Sequence, residues 1–330
     1  MDTALEQLAA RRGGYFSRSE AYDCGYDDRA IQAAVRAGEW RRVRRGHYSP
    51  STLYDALDDA GKHLVLCRTV QNRMGDRVAI THTSASAAWG HDQWGWDMSV
   101  VHVTRLDGGT GRIEAGVRHH RAQIDPAELS WVSGLWVVGE ARSAFEACTA
   151  VSIESGLCIV SSALRAGRIT KEILEEYGQK SRSLAWPRSR HARITIRLGD
   201  RRLQSVGESR SFAMFYRHAM PRPELQYEMR ATRDGRLLGY NDFAWPDYCH
   251  LGEFDGKRKY TRDIKPDEDP GEVVFREKRR EDEMRREGAG MSRWIWRDLD
   301  ESRQPTTVRQ IDSEMRESRR RYGRNRTIIA

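Results

Sequence analysis

The first fifty residues carry apolar positions at helical spacing, interrupted by glycines that end each segment. Leucine and alanine recur between residues 3 and 11 with the period of a helix. Ser17 is placed to cap a short second helix that ends at Gly25, and a third helix is predicted over residues 28–37. An arginine-rich strand and turn follow over residues 40–48. Three helices and a basic strand are therefore predicted.

This order is that of a winged helix-turn-helix, so residues 1–50 are predicted to form a domain that binds double-stranded DNA. The third helix would enter the major groove, and arginines of the following strand would neutralise phosphates. The alternative is a small helical domain with an ordinary charged face. The predicted DNA-binding residues are Arg29, Gln32, Arg36, Arg41, Arg42, Arg44 and Arg45.

The next part of the chain, residues 51–180, mixes helical and strand-like patterns and is predicted to form a mixed α/β domain. Ser84 and Ser86 have no general base at a telling spacing, so we expect them to cap and pack. Residues 181–204, rich in serine and arginine, are interpreted as a linker. The predicted elements are a helix at Thr81 to Gly90, strands at Ser99 to Thr104 and Gly134 to Val138, and helices near Arg142 to Cys148 and Ile153 to Arg165.

Residues 205–300 form the third predicted domain, and a basic tail, residues 301–330, follows. Within this tail, residues 316–326 have few apolar positions and are expected to be mobile. The predicted elements of residues 205–300 are a helix from Gly207 to Met220, a strand from Leu225 to Ala231, a hairpin of Leu237 to Trp245 and Tyr248 to Asp255, a helix from about Glu272 to Glu287 and a strand from Ser292 to Trp296.

The acidic hairpin is the strongest chemical signal in the chain. Asp242 on its first strand can face Glu253 across it, and Glu253, Asp255 and Lys257 share one face if the second strand persists. Hard cations such as Mg²⁺ bind carboxylates and phosphate oxygens, while a nearby lysine can orient the attacking water. The hairpin therefore predicts metal-dependent phosphodiester hydrolysis.

Composition limits the function classes. The 330 residues exceed one ordinary core, and a formal charge of +8 with a pI near 9.3 favours a nucleic-acid partner. No apolar run approaches a membrane span and no signal region begins the chain, so cytoplasmic localisation is expected. The five scattered cysteines argue against a disulfide framework or structural zinc. Five histidines lack ligand spacing and are interpreted as surface or capping residues, namely His82, His91, His102, His119 and His120.

Two regions resemble known families. Residues 3–50 and the elements of the middle segment are similar to AbiEi-type antitoxins of type IV toxin–antitoxin systems. The C-terminal helix, strand, strand, strand, helix, strand order and the acidic hairpin resemble the Vsr-like branch of the PD-(D/E)XK (restriction-endonuclease-like) superfamily. That second resemblance implies a catalytic set of Glu208, Asp242, Glu253, Asp255 and Lys257, with Asp242, Glu253 and Asp255 binding Mg²⁺ or Mn²⁺.

In the usual motif, the lysine follows the second acid by two residues. When Glu253 is taken as the second acid, that position holds Asp255, and Lys257 comes two residues later. Either Asp255-Gly-Lys257 is the true triplet, or Glu253 and Asp255 both bind metal and Lys257 substitutes. A third interpretation is a solvated hairpin whose carboxylates pair with Arg258, Lys259 and Arg262. The sequence leaves two functions open. One is a DNA-binding, Mg²⁺-dependent endonuclease in phage defence or a toxin–antitoxin context, and the other is an antitoxin-like autorepressor with an inactive nuclease fold and a toxin partner. Oligomeric state is left open.

Overall fold

The computed structural model describes residues 3–183, 186–256 and 279–323. The chain divides into two compact units, Met1–Gly199 and Asp200–Ala330. Sheets and helices occur in both units, so the prediction of a multidomain protein of mixed α and β structure is confirmed. In the described parts of the chain, no helix is both long and apolar enough to cross a membrane.

The N-terminal part of the first unit consists of three helices and a small antiparallel sheet of strand order β1-β3-β2. Its core contains Phe16, Ile31, Trp40 and Tyr48, with the rings of Phe16 and Trp40 in edge contact at 4.7 Å. The predicted helices and the basic strand are therefore present. The elements are α1 (Thr3–Arg11), β1 (Phe16–Ser17), α2 (Arg18–Asp23), α3 (Asp28–Arg36), β2 (Trp40–Arg44) and β3 (His47–Pro50).

Polar side chains fix where these helices begin. Ser17 and Glu20 form a reciprocal capping box at the start of α2. The Asp27 carboxylate accepts the backbone N–H of Ala30 at 2.7 Å and caps α3. Gly38 has φ +77°, a left-handed conformation that glycine adopts at little cost after a helix. The local sequence thus sets the bounds of α3.

The rest of the first unit contains a six-stranded mixed sheet of order β6-β7-β5-β4-β9-β8. Helices α4 (Ser51–Tyr54) and α5 (Asp59–Met74) precede its first strand in the chain, and α6 (His82–Ala88) follows that strand. The strands are β4 (Val78–Ile80), β5 (Val101–Arg105), β6 (Arg112–Glu114), β7 (Val117–His120), β8 (Leu129–Val132) and β9 (Leu135–Val138). Valines of β5, β7 and β9 form its core with alanines of α6.

Four helices complete the first unit, and one of them corrects the predicted linker. They are α7 (Glu140–Ala150), α8 (Ile153–Ala166), α9 (Lys171–Ser183) and α10 (Ser189–Leu198). Within residues 181–204, helix α10 buries Ala192 and Ile196 in a core shared with Phe145 and Ile159. The arginines and serines that suggested a linker flank this apolar stripe, so the segment packs as part of the unit.

The second unit has a four-stranded sheet of order β10-β11-β12-β13. The first three strands are antiparallel, and β12 and β13 are parallel. The elements are α11 (Val206–Arg217), β10 (Glu224–Arg230), β11 (Leu237–Trp245), β12 (His250–Phe254), α12 (residues 279–286), β13 (Gly290–Trp294) and α13 (Gln304–Tyr322). This is the predicted order, although β13 starts two residues before the predicted strand. The predicted helix residues 272–278 lie outside the described residues.

Helix α11 packs on one face of that sheet through aromatic rings. Phe215 contacts the rings of Phe243, Trp245 and Trp294 edge-on at centroid distances of 5.2 to 5.5 Å. A Cβ at Gly207 would lie 2.0 Å from the Phe254 ring, so glycine permits β12 to approach the first turn of α11 closely. This contact brings the end of β12 beside the start of α11.

The C-terminal tail, predicted to be mobile over residues 316–326, is helical over its described part. Residues 304–322 form α13, and Ile311 and Met315 are buried. Ser318 bonds His250 of β12 at 2.8 Å. Apolar residues spaced four apart supply one packed stripe, which is sufficient for docking even though most of the helix is charged.

Candidate DNA-binding surface and candidate nuclease site

Helix α3 presents one polar face away from the core of the N-terminal part. Arg29, Gln32 and Arg36 follow the spacing i, i+3, i+7 and are all exposed, while Ile31 and Ala34 are buried on the opposite side. Neither arginine forms an ion pair within the described parts of the chain. The helix therefore carries two unneutralised guanidinium groups and an amide on one accessible stripe.

The predicted wing arginines divide into two groups. Arg42 and Arg45 are exposed and, in the described regions, have no ion-pair partner. Arg41 instead forms a forked ion pair with Asp55, with its Nη2 at 2.6 Å from Oδ2. Arg44 is half-buried, its Nη2 donates to the Ala115 carbonyl at 3.3 Å, and burial lowers its pKa. Arg42 and Arg45 are thus the wing cations available to a phosphate.

The predicted nuclease residues lie near Phe254. Asp242 on β11 is buried, and its Oδ2 accepts the backbone N–H of Phe254 at 2.9 Å. The register that pairs Phe243 with Gly252 places Asp242 and Glu253 on neighbouring strands. Because side chains alternate, both project to the same face of the sheet. The structure therefore brings these two carboxylates to one region.

Glu208 reaches the same neighbourhood from α11, because Gly207 contacts the Phe254 ring. Both of its carboxylate oxygens already accept hydrogen bonds. Oε1 accepts the Ser205 hydroxyl at 2.8 Å, while Oε2 accepts the Gln204 N–H at 2.8 Å and the Gln226 amide at 3.0 Å. Glu208 thus completes the N-terminal cap of α11, a role that its spacing from Ser205 could have indicated.

Glu253 is held by two arginines that the sequence analysis did not assign to the site. Its Oε1 is 2.7 Å from Arg280 Nη2, and its Oε2 is 3.0 Å from Arg293 Nη2. Glu253 and Arg293 are register partners on the parallel strands β12 and β13, a pairing that sequence spacing does not reveal. The interpretation of hairpin carboxylates paired with basic residues holds for Glu253, with different partners from those expected.

The last two predicted catalytic residues are only partly described. Asp255 follows β12 and its backbone N–H donates to the Trp294 carbonyl at 2.8 Å. Lys257 lies outside the described residues. Oxygen donors from Asp242, Glu253 and Asp255 are the type that Mg²⁺ prefers, but a metal on Glu253 would have to displace an arginine.

The comparisons with known proteins bear on the N-terminal part. Residues 4–50 match the family model described as "Transcriptional regulator, AbiEi antitoxin". The match suggests a transcriptional regulator and confirms the resemblance for this region. The matched segment contains α1 to α3 and the small sheet, so it includes the exposed stripe of α3. The resemblance of residues 205–300 to nucleases stays a prediction.

The chain is similar to three proteins of Mycobacterium tuberculosis. Uncharacterized protein MT2308 (strain CDC 1551 / Oshkosh) and uncharacterized protein Rv2248 (strain H37Rv) are each 28% identical over 187 residues, which is 55% of this chain. The match spans 64% of the length of these curated relatives. The crystal structure of the RV2827C protein from M. tuberculosis has a TM-score of 0.40 and 13% identity, covering 71% of this chain and 89% of that chain.

Two buried serine–histidine contacts also escaped the sequence analysis. Ser86 Oγ lies 2.9 Å from His91 Nδ1, and His91 Nε2 lies 2.9 Å from Glu140 Oε1. Ser84 Oγ lies 2.9 Å from His63 Nε2 and accepts the His102 N–H. Both serines are fully buried, so no substrate reaches them. Their packing role, which the sequence analysis predicted, accounts for these contacts.

Proposed function

We propose that the protein is a DNA-binding transcriptional regulator that represses the promoter of its own operon in a toxin–antitoxin context. The observation that carries this proposal is the exposed stripe of Arg29, Gln32 and Arg36 on α3, within the segment that matches the AbiEi regulator model. Arginine can bond guanine and glutamine can bond adenine through paired contacts in the major groove. Arg42 and Arg45 would bind phosphates beside that groove.

Fluorescence anisotropy with duplex DNA from upstream of the coding sequence, and with a scrambled duplex, tests the proposal. Arg36→Ala should weaken binding to the upstream duplex by about 1–3 kcal/mol and reduce discrimination against the scrambled one. Arg42→Ala should weaken binding to both duplexes alike and lower the salt slope by about 0.9.

Arg190→Ala is the matched control, because Arg190 is also exposed and has no ion-pair partner among the described residues, but lies on α10, outside the matched segment. It removes the same charge and should leave both affinities within about twofold of wild type, since distant surface charges are screened. Equal losses for Arg36→Ala and Arg190→Ala would show that binding follows net charge, and the regulator proposal would fail.

The toxin partner is a separate part of the proposal and rests on the family match over residues 4–50. If it is correct, the gene next to the coding sequence encodes a protein whose growth inhibition is relieved when this chain is co-expressed. A reporter fused to the upstream region should then be repressed by wild type and released by Arg36→Ala. Persistent growth inhibition during co-expression would contradict this part alone.

A second candidate function is Mg²⁺-dependent DNA cleavage by the second unit. What favours it is that Asp242 and Glu253 project from adjacent strands to the same sheet face, in a unit with the helix, strand, strand, strand, helix, strand order. The metal would polarise a phosphate and generate the nucleophile when bound. Of the chain's own residues, Asp242 and Asp255 would supply oxygen ligands. Arg280 and Arg293 would leave Glu253 and bind the negatively charged phosphate.

A plasmid-nicking assay with Mg²⁺ or Mn²⁺ tests this second function. Wild type should nick supercoiled plasmid only with metal, and Asp242→Ala should reduce the rate by at least about 100-fold, the scale of losing a principal electrostatic group. Glu301→Ala removes a carboxylate from a highly exposed site in the same unit and should have no effect. Equal rates for wild type and Asp242→Ala, or nicking by neither protein, would contradict the cleavage proposal and would not affect the regulator proposal.

A further inference from the structure

Three histidines that are distant in sequence meet in the first unit. His82 begins α6, His102 lies on β5 and His120 ends β7, and one ligand atom from each lies within 4.8 Å of the others. His82 and His102 are buried, and His120 is half-buried. The cluster lies outside the DNA-binding surface and the nuclease candidate, and neither proposed function uses it.

The register of the sheet brings two of these histidines together. Strands β5 and β7 are parallel neighbours, with His102 opposite Arg118 and Thr104 opposite His120. His102 and His120 therefore project to the same face, and His120 Nε2 lies 3.1 Å from His102 Nδ1. Two ligands of a tetrahedral zinc ion with bonds of about 2.0–2.1 Å lie roughly 3.3 Å apart, so these two nitrogens are close to the required spacing.

His82 completes the cluster from an unusual backbone conformation. Its φ is +52°, a region that non-glycine residues seldom occupy and that tends to occur at functional sites. The ring stacks on His120 with centroids 3.6 Å apart, so a shared ion requires one of the two rings to rotate.

Glu146 of α7 is placed to orient His82. Its Oε2 is buried, lacks a hydrogen-bond partner within the described chain, and lies 3.4 Å from His82 Nδ1. A carboxylate at this nitrogen would keep its proton there and leave Nε2 as the metal donor. Arg142 bonds Glu146 Oε1 at 2.8 Å and also pairs with Glu128, which fixes the position of the Glu146 side chain.

A cavity of about 460 Å³, lined by His82, His120 and Glu146, adjoins the cluster and offers a route of entry.

We propose that His82, His102 and His120 bind a divalent transition-metal ion, for which Zn²⁺ is the best match, with Glu146 orienting His82. Three imidazole ligands suit zinc, and the fourth position would open to the cavity for water or an anionic ligand. The basic residues that line the cavity, Arg118, Arg121 and Arg188, would favour an anion in that position.

The test is calorimetric titration of the full chain, purified without a histidine tag and stripped with a chelator, with Zn²⁺ in excess Mg²⁺. The magnesium occupies oxygen-only sites. Wild type should bind one Zn²⁺ per chain, and His120→Gln should weaken binding at least tenfold. His119→Gln is the matched control, because that neighbour projects to the opposite face of β7 with Val101 and Val103, and it should bind as wild type does.

Two further measurements keep the result independent of folding. His82→Asn removes a ligand while asparagine tolerates the left-handed backbone, so it should lose zinc affinity and keep the far-ultraviolet circular dichroism of wild type. Wild type loaded with Co²⁺ should show the intense visible absorption of tetrahedral coordination, and His120→Gln should not. Absence of stoichiometric Zn²⁺ binding by wild type, or equal affinity in wild type and His120→Gln, would overturn the proposal.

Discussion

At the scale of single residues, the same side-chain type serves different purposes according to its partners. Glu208 was predicted to be catalytic, yet three hydrogen bonds tie it into the cap of α11. Glu253 lies between two guanidinium groups, and Asp242 at the same sheet face accepts the backbone N–H of Phe254. The residue type alone did not distinguish these cases, because a carboxylate's role depends on which donors the fold places beside it.

His250 provides a residue-scale prediction for pH. It is buried between the hydroxyls of Ser292 and Ser318 at 2.8 Å each, and burial lowers its pKa from 6.5 to about 4. Because the folded pKa is below the unfolded value, its stabilising effect is complete above pH 6.5 and is lost as pH falls toward 4. The second unit should lose about 3 kcal/mol over this interval.

Hydrogen exchange of β12 and β13 peptides measures this loss, with His250→Gln as the comparison. Glutamine can still bond the two hydroxyls but does not titrate, so its protection should change less between pH 7 and about pH 4.5. An identical pH response in both proteins would assign the loss to other groups.

At the scale of elements, caps and glycines set most boundaries, and these are the features that the sequence predicts best. The start of α3 at Asp28 follows from the Asp27 cap, and its end follows from Gly38. Elements without such signals were missed, including α10, whose apolar stripe lies among arginines and serines. Local hydrogen-bonding chemistry is therefore readable, while a stripe of few apolar residues gains meaning only when a core receives it.

The cap of α3 yields an element-scale prediction. Asp27→Ala removes the acceptor for the Ala30 N–H and should destabilise the helix by about 0.5–2 kcal/mol. Exchange of α3 amides should accelerate, and affinity for the upstream duplex should fall because the polar stripe becomes less ordered. Asp23→Ala removes the same charge from an exposed position that caps no helix start, so it serves as the control. Equal effects of the two variants would show that charge, rather than the cap, is responsible.

At the scale of the whole molecule, each unit depends on contacts between distant parts of its chain. The tail predicted to be mobile closes the second unit, since Ile311, Met315 and Ser318 of α13 pack against the sheet side. The predicted linker likewise completes the helical layer of the first unit. Charge-rich composition suggested exposure in both segments, but a helix needs only one apolar stripe to dock.

Truncation after Arg303 tests this role of α13. It should destabilise the second unit by several kcal/mol, because burial of Ile311 and Met315 contributes about 1.5–3 kcal/mol each. Thermal unfolding followed by circular dichroism should show one transition shifted down or lost. Truncation after Gly323 keeps α13 and should leave both transitions unchanged. A full-length-like melting curve for the shorter chain would contradict the packing role.

Local features of this protein could be predicted from its residues in order: the helices and basic strand of residues 3–50, the order of elements in the second unit, and the resemblance that the family match confirms over residues 4–50. The elements follow from periodicity and capping, which act between residues close in the chain. The contact of Arg293 with Glu253 and the cluster of His82, His102 and His120 are visible only in the folded chain. Those contacts come from strand register and helix docking, which no spacing along the chain encodes.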